Sequence, residues 1–91
     1  MDFEWNPRKA ETNLQKHGVS FTEAGTVFGD ELAITVPDPD HSKSEDRYIT
    51  IGWSSQHRLL MVSHTDRDNR IRIISARELT KAERKAYEEK N

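Results

Sequence analysis

The chain has 91 residues, is 33% hydrophobic and 33% charged, carries a net charge of −2 and has no cysteine. That length holds one small domain, residues 1–91, around a single thin core, and the lack of cysteine excludes a disulfide framework, a thiolate metal site and a cysteine nucleophile. No apolar run reaches the roughly 20 residues of a membrane span, and the opening MDFEWNPRK lacks the apolar centre of a signal peptide, so a cytoplasmic protein is expected.

Phe3, Glu4 and Trp5 alternate apolar and polar, as a short edge strand does. Asn6 and Pro7 then predict a helix, Asn as the N-cap and Pro at the first helical position. It should run to about His17, with Ala10 and Leu14 inward and Gly18 as the left-handed cap. Ser20 and Glu23 make a capping box for a second helix, with Val19 and Ala24 as a staple. Phe21, Ala24, Val27 and Phe28 form its apolar stripe, and Gly29 closes it.

Leu32, Ile34 and Val36 alternate with Ala33 and Thr35 as another strand, which Pro37 and Pro39 stop. The following segment, PDPDHSKSED, reads as a solvated, mobile loop. Asp38, Asp40 and His41 within it lack the spacing of a metal site, and a plain turn is the expectation.

Three β-rich runs follow, Tyr48 to Trp53, Arg58 to His64 and Arg70 to Ser75, joined by gaps too short for a crossover. They predict an antiparallel meander, with the LLMV run central. Alternation puts Ile71 and Ile73 on a core face and Arg70 and Arg72 on the other; Ile49, Ile51 and Trp53 share a face, leaving Tyr48 and Thr50 opposite. A sheet face carrying Arg and Tyr is the expected functional surface, with Trp5 and Trp53 in the core. Thr80 and Glu83 cap a last helix, whose inward candidates are Ala82, Ala86 and Tyr87.

The charge divides unevenly. Up to Asp46 there are four Lys and Arg against ten Asp and Glu, and from Arg47 onward ten against six. Arg47, Arg70, Arg72 and Arg77 surround the meander, and guanidinium groups suit a phosphate. His64, at a strand end, has the side chain for proton transfer or is an ordinary half-exposed residue. Tyr87 offers a ring to stack on a base or an anchor for its helix. Lys16 and His17 are candidate cations, though the helix dipole also favours them there.

The segments FEWNPRKAETNLQKHGVSF, VFGDELAITVPDPDH, RYITIGWSS and RIRIISARELTKAER together resemble the BrnT family of toxins from bacterial type II toxin–antitoxin pairs. The resemblance spans nearly the whole chain. It implies an α+β, RelE-like fold: an antiparallel sheet of four to five strands, two N-terminal helices on one face and a C-terminal helix. It also implies metal-independent cleavage of RNA that inhibits translation, without a cofactor and in association with the ribosome or free of it. Neutralisation would fall to a BrnA-like antitoxin, through which alone operator DNA is bound. On this reading His64 handles a proton, Arg47 and Arg77 hold the phosphate, Tyr87 orients the substrate, and Arg70, Arg72, Lys16 and His17 bind RNA. The rival expectation is a non-catalytic interaction module in a repressor complex. It gains weight if these residues do not converge on one concavity.

Overall fold

The three apolar runs of the C-terminal half pair continuously, and the rest of the chain is laid against them. The computed structural model describes residues 1–40 and 46–90; the expected loop character of residues 41–45, and His41 with it, lies outside these. The elements are β1 (Asp2–Glu4), α1 (Pro7–His17), α2 (Phe21–Thr26), a 3-10 turn (Val27–Gly29), β2 (Ile34–Pro37), β3 (Arg47–Trp53), β4 (Leu59–Arg67), β5 (Arg70–Glu78) and α3 (Lys81–Lys90). They form one five-stranded sheet in the order β1-β5-β4-β3-β2. The LLMV run is central, as its two-sided apolarity requires. Four strands are antiparallel, whereas β1 joins β5 in parallel, so the sheet is mixed.

The β4–β5 hairpin is longer than the apolar runs suggest. Asp68 and Asn69 both take positive φ, 51° and 65°, the two-residue turn whose twist matches paired strands. Pairing therefore extends to Arg67 opposite Arg70, and residues 65–67, expected in the turn, are strand. His64 accordingly sits within β4, not at its end. Ser63 pairs with Ser75 and His64 with Ile73, which leaves Ile74 as the extra residue of a β-bulge.

The helices start where their caps place them. Asn6 Oδ1 accepts from Arg8 N at 2.8 Å, Ser20 accepts from Glu23 N, and Gly18 closes α1 at φ 69°. The Glu23 side chain does not complete its box; it turns inward. Val19, Phe21, Ala24 and Val27 pack on Leu60, Val62, Ile73 and Ala76 to form the core. The 3-10 turn lies so close to β3 that a Cβ on Gly52 would come within 2.9 Å of Ala33 Cβ and 3.0 Å of Val27 Cγ1.

That close approach decides the sheet's faces. Small residues, Thr50, Gly52 and Ala76, lie under the helices, because Thr50 is the register partner of Val62 and Gly52 of Leu60. Ile49, Ile51 and Trp53 therefore point to the opposite face, beside Met61 and Arg77, and α3 settles there. Trp53 is 37% exposed rather than core, with the Arg84 guanidinium 5.1 Å from its ring centroid. Tyr48 turns toward the helices, not to the basic face. Ala82 and Ala86 are exposed. Leu14, expected inward, is 51% exposed, and Asn13 is buried instead.

Asn13 is bound as a strand would be. Its Nδ2 donates to Val19 O at 2.9 Å and to Ala76 O at 2.8 Å, and its Oδ1 accepts from Ala76 N at 3.1 Å. Asn13→Ala would strip partners from buried backbone groups, and a loss of about 2 kcal/mol or more is expected from their desolvation. Urea unfolding with an unchanged m-value checks this; a loss below about 0.5 kcal/mol, the size of a neutral surface change, would contradict it.

Candidate nucleic-acid interface

Register builds a row of groups on the sheet face away from α2. Arg47 pairs with Thr65, Thr65 with Arg72, and Arg72 with Glu4, and directly opposed residues share a face. Thr65 Oγ1 donates to Asp46 O at 2.7 Å and fixes the start of β3. Arg72 Nη1 donates to Glu4 Oε2 at 2.7 Å, and Arg70 lies 3.9 Å from the same carboxylate. Above this row opens a cleft of about 480 Å³, with Lys9, Arg47, Arg67 and Arg72 against Asp46 and Asp66.

A second cleft, of about 360 Å³, lies between α1 and β5, where Arg8, Lys9, Lys16 and His17 face Ile74 and Ser75. No carboxylate lines it among the described residues. Lys9 and Ile74 line both clefts, so the two adjoin at these residues and together form the two arms of one grooved surface. On α1, Lys9, Thr12, Asn13 and Lys16 recur at three- and four-residue steps and form one stripe. Buried Asn13 holds that stripe beside β5.

The sequence-level candidates divide between this groove and two other places. Arg47, Arg72, Lys16 and His17 line it, and Arg70 is on the neighbouring hairpin end. His64 is 4% exposed, on the helix-covered face. Its ring meets Phe28 edge-on at 4.9 Å and stacks on Tyr48 at 6.0 Å. Nε2 lies 2.7 Å from Thr50 Oγ1, itself 2.7 Å from Thr35 Oγ1, while Nδ1 has no partner. A bare Nδ1 lone pair costs less than an unpaired N–H there, so Nε2 carries the hydrogen. Burial pushes the His64 pKa below its ordinary value, against a smaller opposing pull from Asp66.

Arg77 and Tyr87 belong to the α3 side. Arg77 donates to both Glu83 oxygens, at 2.7 and 2.9 Å. This pairing, with the Thr80 backbone N–H, holds the Glu83 carboxyl down to about 2 and raises Arg77. Thr80 and Glu83 complete the expected capping box. Tyr87 Oη donates to Leu32 O at 3.4 Å, and burial raises its pKa. Arg77 and Tyr87 do not line the groove.

Sequence reasoning missed Arg8, Lys9 and Arg67, and also Glu23, which is 3% exposed. Arg58 Nε donates to Glu23 at 3.0 Å, Nη2 closes a second, shorter contact, and Ser54 Oγ donates at 2.7 Å. The Arg58 bond dominates and lowers the Glu23 pKa in spite of burial. The helical spacing of Lys9 and Lys16 was a readable signal; the side it faces is set by β5.

The fold and the placement of charge define a small α+β protein with a cationic groove along one side of its sheet, suited to a polyanion. The model of the family described as "Ribonuclease toxin, BrnT, of type II toxin-antitoxin system" matches residues 5–83, and the chain belongs to this BrnT toxin family. An antitoxin partner follows from that membership. In fold, the chain is similar to the crystal structure of the Brucella abortus ribonuclease toxin BrnT, with a TM-score of 0.70 and 23% identity over 89% of this chain and 99% of that one. No curated protein matches it. Among the described residues no helix is long and apolar enough to cross a membrane.

A histidine whose folded pKa lies below its unfolded value near 6.5 contributes stability that is present above that value and lost as pH falls through it toward the folded pKa. Wild type should therefore lose stability relative to His64→Leu on going from pH 7.5 to 5.5, by up to about 1.4 kcal/mol per pH unit. Chemical denaturation of both proteins across that range checks it. Parallel curves would show that His64 does not titrate with folding.

Proposed function

We propose that this chain is an endoribonuclease that cleaves RNA without a metal ion in the groove between α1 and the sheet, and so inhibits translation until a BrnA-like antitoxin binds. The observation that carries the reading is the meeting of cations from three elements, Lys9 on α1, Arg47 on β3 and Arg72 on β5, around one cleft. Cleavage by an internal 2′-hydroxyl moves its proton to a base, forms the O2′–P bond, breaks the P–O5′ bond and returns a proton to the 5′-oxygen. The phosphoryl oxygens gain charge in that step, which guanidinium and ammonium groups offset. Arg47 and Arg72 hold the phosphate and Lys9 stands over it, while His17, half-buried at the groove's other end, contacts the RNA strand beyond the reacting phosphate. His64 supports the site from beneath, through the packing of β4.

The test is induced expression of the chain alone, with growth and RNA integrity followed beside a Lys9→Ala, Arg67→Ala variant. Arrest with degraded RNA in the wild type, weakened at least tenfold in cleavage rate in the variant, is expected; a tenfold loss corresponds to about 1.4 kcal/mol of transition-state binding. Unchanged cleavage by a folded variant would remove the groove from the reaction.

A second reading, a non-catalytic module in an antitoxin-bound repressor, draws on the burial of His64 and the engagement of Arg77 by Glu83. Normal growth with intact RNA and soluble wild type would favour it. In either reading the antitoxin docks on the apolar ground between α3 and β2, where Val36 is 42% exposed and Ile34, Ile51, Met61 and Tyr87 line a cleft of about 280 Å³. α3 buries no residue. Removal of residues 80–91 should therefore weaken antitoxin binding by more than tenfold while lowering the melting temperature by only a few degrees, about 1 kcal/mol for a domain of this size. Pull-down titration beside thermal melts measures both, and equal losses would count against this surface.

A further inference from the structure

Ile74 is the one aliphatic side chain that lines either arm of the groove among the described residues. Its position follows from the bulge. Ile73 and Ala76, three residues apart, are both buried under the helices, which strict alternation forbids. The extra residue reconciles them and leaves Ile74 and Ser75 together on the α1 cleft. Cations lie on both sides of this point, with Arg8, Lys16 and His17 along one arm and Arg47, Arg67 and Arg72 along the other.

We propose that Ile74 is a specificity-determining residue of the groove: it packs against the face of an unstacked base, so the groove takes single-stranded RNA and rejects duplex. A backbone threading the groove meets cations before and after Ile74, yet an aliphatic surface midway offers a phosphate nothing. A base face gains from it, by exclusion of water from two apolar surfaces. An A-form duplex keeps its bases paired inward and presents only phosphates and sugars to such a floor. The proposal rests on the reading of the groove as the RNA site.

The experiment is binding by fluorescence anisotropy with the full chain and an RNA oligonucleotide methylated at its 2′-oxygens, so that it is not consumed. The same oligonucleotide is tested single-stranded, annealed to its complement, and with one abasic position moved along it. Wild type should prefer the single strand and lose about fivefold in affinity when the abasic position falls over Ile74, less than stacking on an aromatic side chain would give. Ile74→Ser should bind the intact strand about fivefold more weakly, feel no abasic penalty, and keep the salt slope set by its phosphate contacts. Ile74→Phe, checked for folding by its melting curve, should retain both the preference and the penalty. Equal binding of single strand and duplex by wild type overturns the proposal, as does an abasic penalty that persists in Ile74→Ser, with the RNA groove left standing. Wild type that binds neither nucleic acid overturns the groove reading and this proposal together.

Discussion

The three hydrogen bonds of the Asn13 amide fix the relation between α1 and the sheet. β1 covers β5 only from Arg70 to Arg72, and the backbone beyond would otherwise be an open edge. An amide side chain carries the same donor and acceptor as a peptide, so Asn13 stands in for one residue of a missing strand at Ala76. Its further bond to Val19 O ties the turn between the two helices to the same point. Because side chains along a helix have fixed spacing, this anchorage also sets where Lys9 and Lys16 stand relative to the Arg47–Thr65–Arg72 row. The groove is a consequence of how the sheet edge is closed.

How far the sequence disclosed this depends on the range of the interactions involved. Asn6, Pro7 and Gly18, and the Thr80–Glu83 box, act within one turn of chain, and each behaves as its local chemistry dictates. Alternation in β3 correctly put Ile49, Ile51 and Trp53 on one face. Which face the helices cover was not in the strand itself. It is decided by how near the 3-10 turn comes to Gly52, a contact across more than twenty residues. Asn13 was passed over for Leu14 because hydropathy ranks Leu as the inward residue, whereas a fully bonded amide is as well suited to a buried edge. Of the candidate site, Arg47, Arg72, Lys16 and His17 were legible from residue type; their convergence with Lys9 and Arg67 depends on register and on the bulge, neither of which leaves a mark in composition.

A net charge of −2 is compatible with a cationic groove because the charge is unevenly placed: no carboxylate lines the α1 arm among the described residues, and only Asp46 and Asp66 line the other. Glu23 is bound to Arg58, Glu83 to Arg77, and Glu4 to Arg72 and Arg70. Each pair cancels at short range and contributes little to the field a distant ligand meets. Arg8, Lys9, Lys16 and Arg67 have no ion pair among the described residues, and they border the groove beside Arg47 and the Glu4-paired Arg72. A polyanion near the surface responds to this local excess within about 10 Å at ordinary ionic strength, not to the total.

The two surfaces of interest lie at opposite ends of one sheet, and their separation limits how a partner on one can affect the other. Neighbouring strands are about 4.8 Å apart, so β2 and β5, three steps apart in strand order, are separated by roughly 14 Å. An extended chain advances about 3.3 Å per residue. A partner seated between α3 and β2 therefore needs only about four or five extended residues to cross β3 and β4 and reach β5 at Arg77, and about five more to follow β5 to Arg72. The path runs over Ile51, Met61 and Arg77, register partners on the face that α3 leaves partly open. Arg77 is held by Glu83 there, so a segment on this path must either pass beside the ion pair or replace Glu83 with an acid of its own. The second course would release α3 from the sheet, and occlusion of the groove would then be coupled to movement of that helix.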